Sequence, residues 1–217
     1  MAINRQKISQ MTPKGSELDP TDLMEVSVDT GSGYETRSIT GQQIISAGSY
    51  GLYTQTASST PVTYTTTETS LLDGGVGTLT VPANGFKVGD SFHAILTGYI
   101  SSVNNHTLTI RIKSGSVVLA TTGSITMAAT TDRHWKLEVY FTVRTLGASG
   151  VASIATGGTF MYTKNASTNF EGTNFSTETT TGFDTTISNT LSITAQWGQT
   201  NTGDSIYSEI FTLNKTY

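Results

Sequence analysis

The sequence contains no cysteine, which excludes a disulfide-stapled scaffold, a thiolate zinc site and a cysteine nucleophile. It is also poor in charge: Asp, Glu, Lys and Arg make up 13% of it, roughly half the share usual in soluble domains. Long apolar runs are missing. The longest, such as Val117-Val118-Leu119-Ala120, fall far below the ~20 residues a membrane helix needs, so no membrane insertion is expected. The N-terminal MAINRQKISQ has Arg5 and Lys7 with no apolar core behind them, and no signal peptide is expected. The net charge is a mild −4 with no Lys/Arg cluster, so the electrostatic footprint of a nucleic-acid binder is absent. The Ala, Glu, Lys, Leu and Arg bias of a coiled coil or helical bundle is absent as well.

Hydroxyl residues fill the space: 42 threonines and 24 serines in 217 residues. The branched Cβ of threonine restricts χ1 and lowers helix propensity, yet fits the pleated surface of a strand. Its hydroxyl faces water without adding charge. The 22 glycines supply the positive-φ turns that many short strands need. The composition therefore predicts an all-β protein.

The first 48 residues differ from the rest. Residues 17–35 hold six carboxylates (Glu17, Asp19, Asp22, Glu25, Asp29, Glu35) and no Lys or Arg. Asp19-Pro20-Thr21-Asp22 suits one short turn of helix. LMEVSV (23–28) reads as a strand, DTGSG (29–33) as a turn and YETRSI (34–39) as the return strand. Thr40-Gly41-Gln42-Gln43 matches a capping box before Ile44-Ile45, with Gly48 ending that helix. Such a segment, under about 50 residues and without disulfide or metal, has too little core to be stable alone. It is expected to dock on something else. Residues 49–60 then read as a small polar linker or as a surface loop of one continuous domain.

From Pro61 onward the period is two. Leu108, Ile110 and Ile112 alternate with threonine and basic residues in 107–113. Trp135, Leu137, Val139, Phe141 and Val143 do the same in 135–143, as do Leu191, Ile193, Ala195 and Trp197 in 191–197. One face buried and one wet is the mark of antiparallel sheets. Further strands are expected near 63–71, 76–81, 91–100, 116–121, 124–129, 151–163 and 205–214. About eight to ten short strands predict a sandwich or barrel over 61–217.

Two strands are apolar on both faces. In 91–100, Ile95 and Tyr99 oppose Phe92, Ala94, Leu96 and Ile100. In 205–213, Tyr207, Phe211 and Leu213 oppose Ile206 and Ile210. Strands of this kind need a second cover, so Ile95, Tyr99, Tyr207 and Phe211 are candidate subunit-interface residues; the alternative is scattered surface apolars. Residues 164–185 resist a strand assignment. Their echoed Asn169-Phe170 and Asn174-Phe175 form either an exposed receptor-facing loop or a hairpin whose phenylalanines pack underneath.

No catalytic signature is present: no G-x-S-x-G, no phosphate-binding glycine loop and no H-E-x-x-H. His93, His106 and His134 have no His or Cys at ligand spacing, so no metal or cofactor is expected. Glu171, Glu178, Asp184, Asp132 and Glu138 are the carboxylates a hydrolytic pair would draw on, and nothing singles out two of them. Four Asn-x-Ser/Thr sequons are read as accidents, because about three are expected from 10 asparagines at this hydroxyl content.

Residues 16–44, with Thr21-Asp22-Leu23, Glu25-Val26-Ser27, Ser38-Ile39-Thr40-Gly41 and Ile44, resemble the N-terminal segment of structural proteins from tailed bacteriophages. LSITAQWGQTNTGDSIYSEIFTL (191–213) is similar to the last two strands of the jelly-roll heads of phage fibre and appendage proteins. The resemblance implies a virion protein, assembled in the host cytoplasm. Its 1–48 segment would dock on capsid, portal or tail proteins, and its jelly-roll β-sandwich head would form a homotrimer, with a host-surface glycan as a further partner. Asp22, Leu23, Val26, Val28, Ile39 and Ile44 are then the candidate docking residues. The competing expectation is a monomeric carbohydrate-binding or adhesin module, with Tyr99, Tyr140 or Phe175 as its sugar platform.

Overall fold

The computed structural model describes residues 23–40, 50–165 and 169–217. The chain divides into two compact units, Met1–Gly48 and Ser49–Tyr217. In the first, strand β1 (Leu23–Asp29) pairs antiparallel with β2 (Tyr34–Thr40), from Leu23 opposite Thr40 to Asp29 opposite Tyr34. The expected strand, glycine turn and return strand are all there. Asp29 closes the turn by accepting from Gly31 N at 2.8 Å, and Gly31 takes a positive φ of 78° that favours glycine. The register puts Met24, Val26, Val28 and Ile39 on one face of the ribbon and Leu23 on the other. No side chain of either strand is buried. Asp22, Ile44, the short helix expected at 19–22 and the one expected to follow Thr40 lie outside the described residues.

The second unit is all-β: β3 (Tyr50–Gln55), β4 (Val62–Thr63), β5 (Thr69–Ser70), β6 (Gly75–Gly77), β7 (Thr80–Val81), β8 (Ser91–Ser102) and β9 (Thr107–Ser114) come first. They are followed by β10 (Val117–Thr121), β11 (Ile125–Thr126), β12 (Thr130–Thr145), β13 (Ser153–Thr163), β14 (Phe170–Thr179), β15 (Asn189–Trp197) and β16 (Ser205–Lys215). A large sheet has the order β14-β13-β12-β8-β16-β3-β6, with β4 beside β16. A smaller one has the order β10-β9-β15-β5, with β11 on β9 and β7 on β15. Every pairing is antiparallel. The inner faces of both sheets supply one core, the layered arrangement of a β-sandwich: Leu108, Ile110, Ile112, Ile193 and Trp197 from the small sheet meet Leu96, Leu137, Val139, Phe160 and Phe211 from the large one. Each such side chain contributes roughly 1.5–3 kcal/mol by leaving water.

Three expectations are corrected. The linker at 49–60 is not one: Tyr50–Gln55 is a strand of the large sheet paired with β16, and Gln55 and Ser59 are buried against Ser208. Residues 164–185 contain a full strand, β14, the outer partner of β13. Its alternation is hidden because its inward residues are mostly Thr and Glu rather than aliphatic. Finally, Phe211 is not on the outer face. A β-bulge between Ser208 and Ile210 shifts the register against β8 and reverses the alternation, so Phe211 and Leu213 turn inward with Ile206, while Ile210 turns out. The buried Trp135 indole N–H is satisfied by donating at 3.1 Å to the Tyr99 and Tyr207 carbonyls beside the bulge.

Candidate functional site on the outer face of the large sheet

The register of the large sheet stacks its outward side chains in rows. The first row reads Phe170, Thr163, His134, Tyr99, Tyr207 across β14, β13, β12, β8 and β16. Tyr99 lies 4.3 Å from His134 and 5.9 Å from Tyr207 between ring centroids. The next row carries Met161, Lys136, Thr97 and Ile210, and the third Asn174, Thr159, Glu138, Ile95 and Thr212. The fourth is Ser176, Gly157, Tyr140, His93 and Asn214.

Three of the four residues singled out as an interface, Ile95, Tyr99 and Tyr207, thus come together on this face. Phe211 does not, and Ile210, 56% exposed, takes the place expected for it. Sequence pattern alone gave no warning of this, because a bulge leaves no mark beyond the polar Ser208-Glu209 pair. The residues expected on a receptor-facing loop are split by the strand that replaces it. Phe170 and Asn174 point outward, Asn169 is exposed just before the strand, and Phe175 points inward over Gly158. A groove of about 450 Å³ runs along this edge, lined by Thr159, Met161, Phe170, Gly172 and Asn174 among others.

Glu138 organises the centre. Lys136 Nζ donates to its Oε2 at 2.6 Å, Tyr140 Oη donates to its Oε1 at 2.7 Å, and His93 Nε2 lies 2.8 Å from the same oxygen. These bonds, Lys136 first, hold its carboxyl far below the ordinary range, at about 2. A carboxylate this acidic is fully ionised at neutral pH and cannot lend a proton. Three of the other candidate carboxylates, Glu171, Glu178 and Asp184, have partners of their own. Burial works against ionisation of Glu171, but hydrogen bonds from Lys164 and Tyr162 outweigh it and hold its pKa down. Glu178 pairs with Arg144 at 2.6 Å, and Asp184, lowered by hydrogen bonds from Thr186, closes a local turn. Burial pushes the Tyr162 hydroxyl up to about 12.

His93 is stacked on Tyr140, His134 packs on Tyr99 with the ring planes tilted by 40°, and His106 lies 2.7 Å from the fully buried Asp204. Among the described residues no group of three or more His, Asp or Glu side chains is placed to hold a metal, and no helix is long and apolar enough to cross a membrane. Between the sheets, an apolar gap of about 80 Å³ is bounded by Phe86, Phe92, Phe141, Phe183, Leu191 and Leu213, with other side chains. Compared with protein-family models, with curated proteins and with solved structures, the chain gives no match.

Proposed function

We propose that the protein is a non-enzymatic structural component of a tailed-bacteriophage virion. In this reading it is a homotrimeric fibre or decoration protein, anchored by its N-terminal segment and exposing the sandwich. The contrast along the chain carries the reading. The ribbon of β1 and β2 has no buried side chain, whereas the second unit has a complete core. A two-stranded ribbon is marginal in water by itself, and the Met24, Val26, Val28 and Ile39 face, unburied among the described residues, suits a partner. The resemblance of 16–44 to phage structural proteins gives that partner as another virion protein.

The sandwich is read as a jelly roll. Its support is topological: the chain crosses from the large sheet to the small one at β8–β9 and back at β15–β16, and the two crossings run side by side, β8 against β16 and β9 against β15. The trimer reading rests on Ile95, Tyr99, Tyr207 and Ile210, which a second copy would cover. Three weak contacts to a host-surface glycan on one rigid head would then bind far better than one.

Sedimentation of the full chain is expected to give three times the 23.0 kDa chain mass, and a stable monomer would defeat the trimer. Deleting residues 1–48 should leave a folded head that no longer enters particles. Normal incorporation of the truncated protein, seen by electron microscopy, would defeat the anchor. A second reading, a monomeric carbohydrate-binding or adhesin module, is favoured by one observation: Tyr140 is half exposed and braced from behind by His93.

A further inference from the structure

Gly157 and Gly158 sit side by side in the middle of β13, where glycine weakens a strand and needs a reason. Gly158 has one. It faces inward, and a Cβ there would meet the Phe175 ring at 2.8 Å. Gly157 has none in the fold. Its φ is ordinary, and the nearest atoms to an added Cβ, Phe175 O at 3.6 Å and Ser176 Oγ at 3.8 Å, are at normal contact distance.

A Cβ at Gly157 would make only ordinary contacts, so the glycine leaves one side-chain position unfilled on the outer face, between Tyr140 on β12 and Ser176 on β14. An aromatic ring opposite a strand glycine commonly folds over it. Tyr140 leans the other way: it stacks on His93, with centroids 4.5 Å apart and planes within 4°, and its hydroxyl is tied to Glu138. Its second ring face is therefore turned toward the empty position, and the side chain is 53% exposed.

The surroundings choose the occupant. Thr159, Asn174 and Ser176 border the space and offer hydroxyl and amide groups, and Asn174 and Thr159 continue into the groove toward Phe170. The nearby carboxylates are spoken for, Glu138 by three partners, Glu178 by Arg144 and Glu171, which lines the groove, by Lys164 and Tyr162, so a guanidinium or ammonium finds no free anion. A flat apolar ring face flanked by neutral hydrogen-bonding groups fits a ligand that is itself flat, apolar on one side and rich in hydroxyls. We propose that the slot over Gly157 binds a pyranose ring of a neutral oligosaccharide, stacked on Tyr140, with the rest of the saccharide running along the groove of β13 and β14. This deepens the surface-attachment side of the function proposed above and rests on it for its biological role.

The test uses the full chain and a panel of neutral hexasaccharides of glucose, mannose, galactose and N-acetylglucosamine. Titration followed by NMR should show binding of at least one member, with the Tyr140 ring protons shifted. Tyr140→Ala and Gly157→Val, the latter filling the slot with a strand-favouring residue, should each weaken binding by about tenfold or more. Thr109→Ala, on β9 of the small sheet, should change it less than about twofold. Intrinsic fluorescence of Trp135 and Trp197 reports whether each variant is folded, and the Tyr140 ring shifts need no variant at all. Binding by no member of the panel, or binding that leaves those protons unmoved, overturns the assignment. Sedimentation of the same samples keeps the two readings apart. A trimer that ignores sugars sinks the slot alone, and a monomer that binds them sinks the trimer alone.

Discussion

On the outer face of the small sheet, Glu68 gathers Lys113 at 2.8 Å, Arg111 at 3.3 Å and the Thr194 hydroxyl at 2.9 Å, while Arg111 also donates to Gln196 at 2.8 Å. On the outer face of the large sheet, Phe170, His134, Tyr99 and Tyr207 line one row, and Tyr140, Met161 and Ile210 stand exposed in others. Both faces grow from the same threonine-rich, period-two strands. One satisfies its polar groups internally and leaves little for a partner to gain. The other holds apolar and aromatic area in water, which a partner can cover at a profit in hydrophobic free energy. The hydroxyl-rich composition therefore describes the two faces unequally, and the large sheet is where recognition is to be sought.

The comparison depends on which side chains of β16 point out, and this gives the largest expected effect. Phe211→Ala should destabilise the sandwich by about 3–5 kcal/mol, because it empties a fully buried site packed on Tyr53 at 5.6 Å. Ile210→Ala should cost no more than about 0.5 kcal/mol, since it is outward and exposed. Urea denaturation measures both. If the order were reversed, the bulge and with it the composition of the outer face would be wrong.

A smaller change in stability, but a complete change in assembly, is expected of the double variant Tyr99→Ala with Tyr207→Ala. Neither residue belongs to the core, so the fold should survive, and sedimentation should fall from the proposed trimer to a monomer. A double variant that remains trimeric would move the interface off this row. Applied to the small sheet, Thr109→Ala with Gln196→Ala should leave assembly unchanged.

Much of this could be read in the residues, and the exceptions share a cause. The faces of β8, β9, β12 and β15 follow from strict alternation, and the hairpin of β1 and β2 from its glycine turn. Strand β14 was invisible because its inward set, Glu171, Thr173, Phe175, Thr177 and Thr179, is mostly polar and gives no periodic signal. The face of Phe211 departs from simple alternation because a bulge inserts one residue without altering local composition. Rows across strands, such as Tyr140 beside Gly157 or the Glu138 cluster, depend on pairing register, which joins residues far apart in sequence. Ile95 and Tyr99 could be found because their own strand betrays them. Gly157 could not, since its meaning comes from neighbours on two other strands.

Acid separates the faces by degree. The carboxyl of Glu138 ordinarily titrates at 4.5 and is held at about 2 in the fold, chiefly by Lys136 and Tyr140. Its contribution is therefore complete above pH 4.5 and fades as pH falls toward 2. Glu68 is lowered in the same direction, chiefly by Lys113, so both faces lose stability in acid. Glu138→Gln should remove on the order of 1 kcal/mol at neutral pH, an amount reduced by solvent screening of a partly exposed group. It should also flatten the acid limb of the stability curve more than Glu68→Gln does. Equal flattening by the two variants would deny Glu138 its organising place.

The smallest effect concerns threonine itself. Thr156 and Thr159 lie on the same strand but face opposite ways. Thr156 is buried and its Oγ1 has no hydrogen-bond partner among the described residues, whereas Thr159 borders the groove on the outer face. A hydroxyl buried without a partner costs its desolvation, so Thr156→Val, which keeps the shape and removes the polar atom, should stabilise the sandwich by about 1 kcal/mol. The same change at Thr159 exchanges a hydrated hydroxyl for a methyl and should shift stability by less than about 0.5 kcal/mol. Thermal and urea unfolding of the two variants compare them directly. A loss of stability in Thr156→Val would mean that its hydroxyl has found a partner, such as an internal water, and that threonine serves the inside of this sandwich as well as its wet faces.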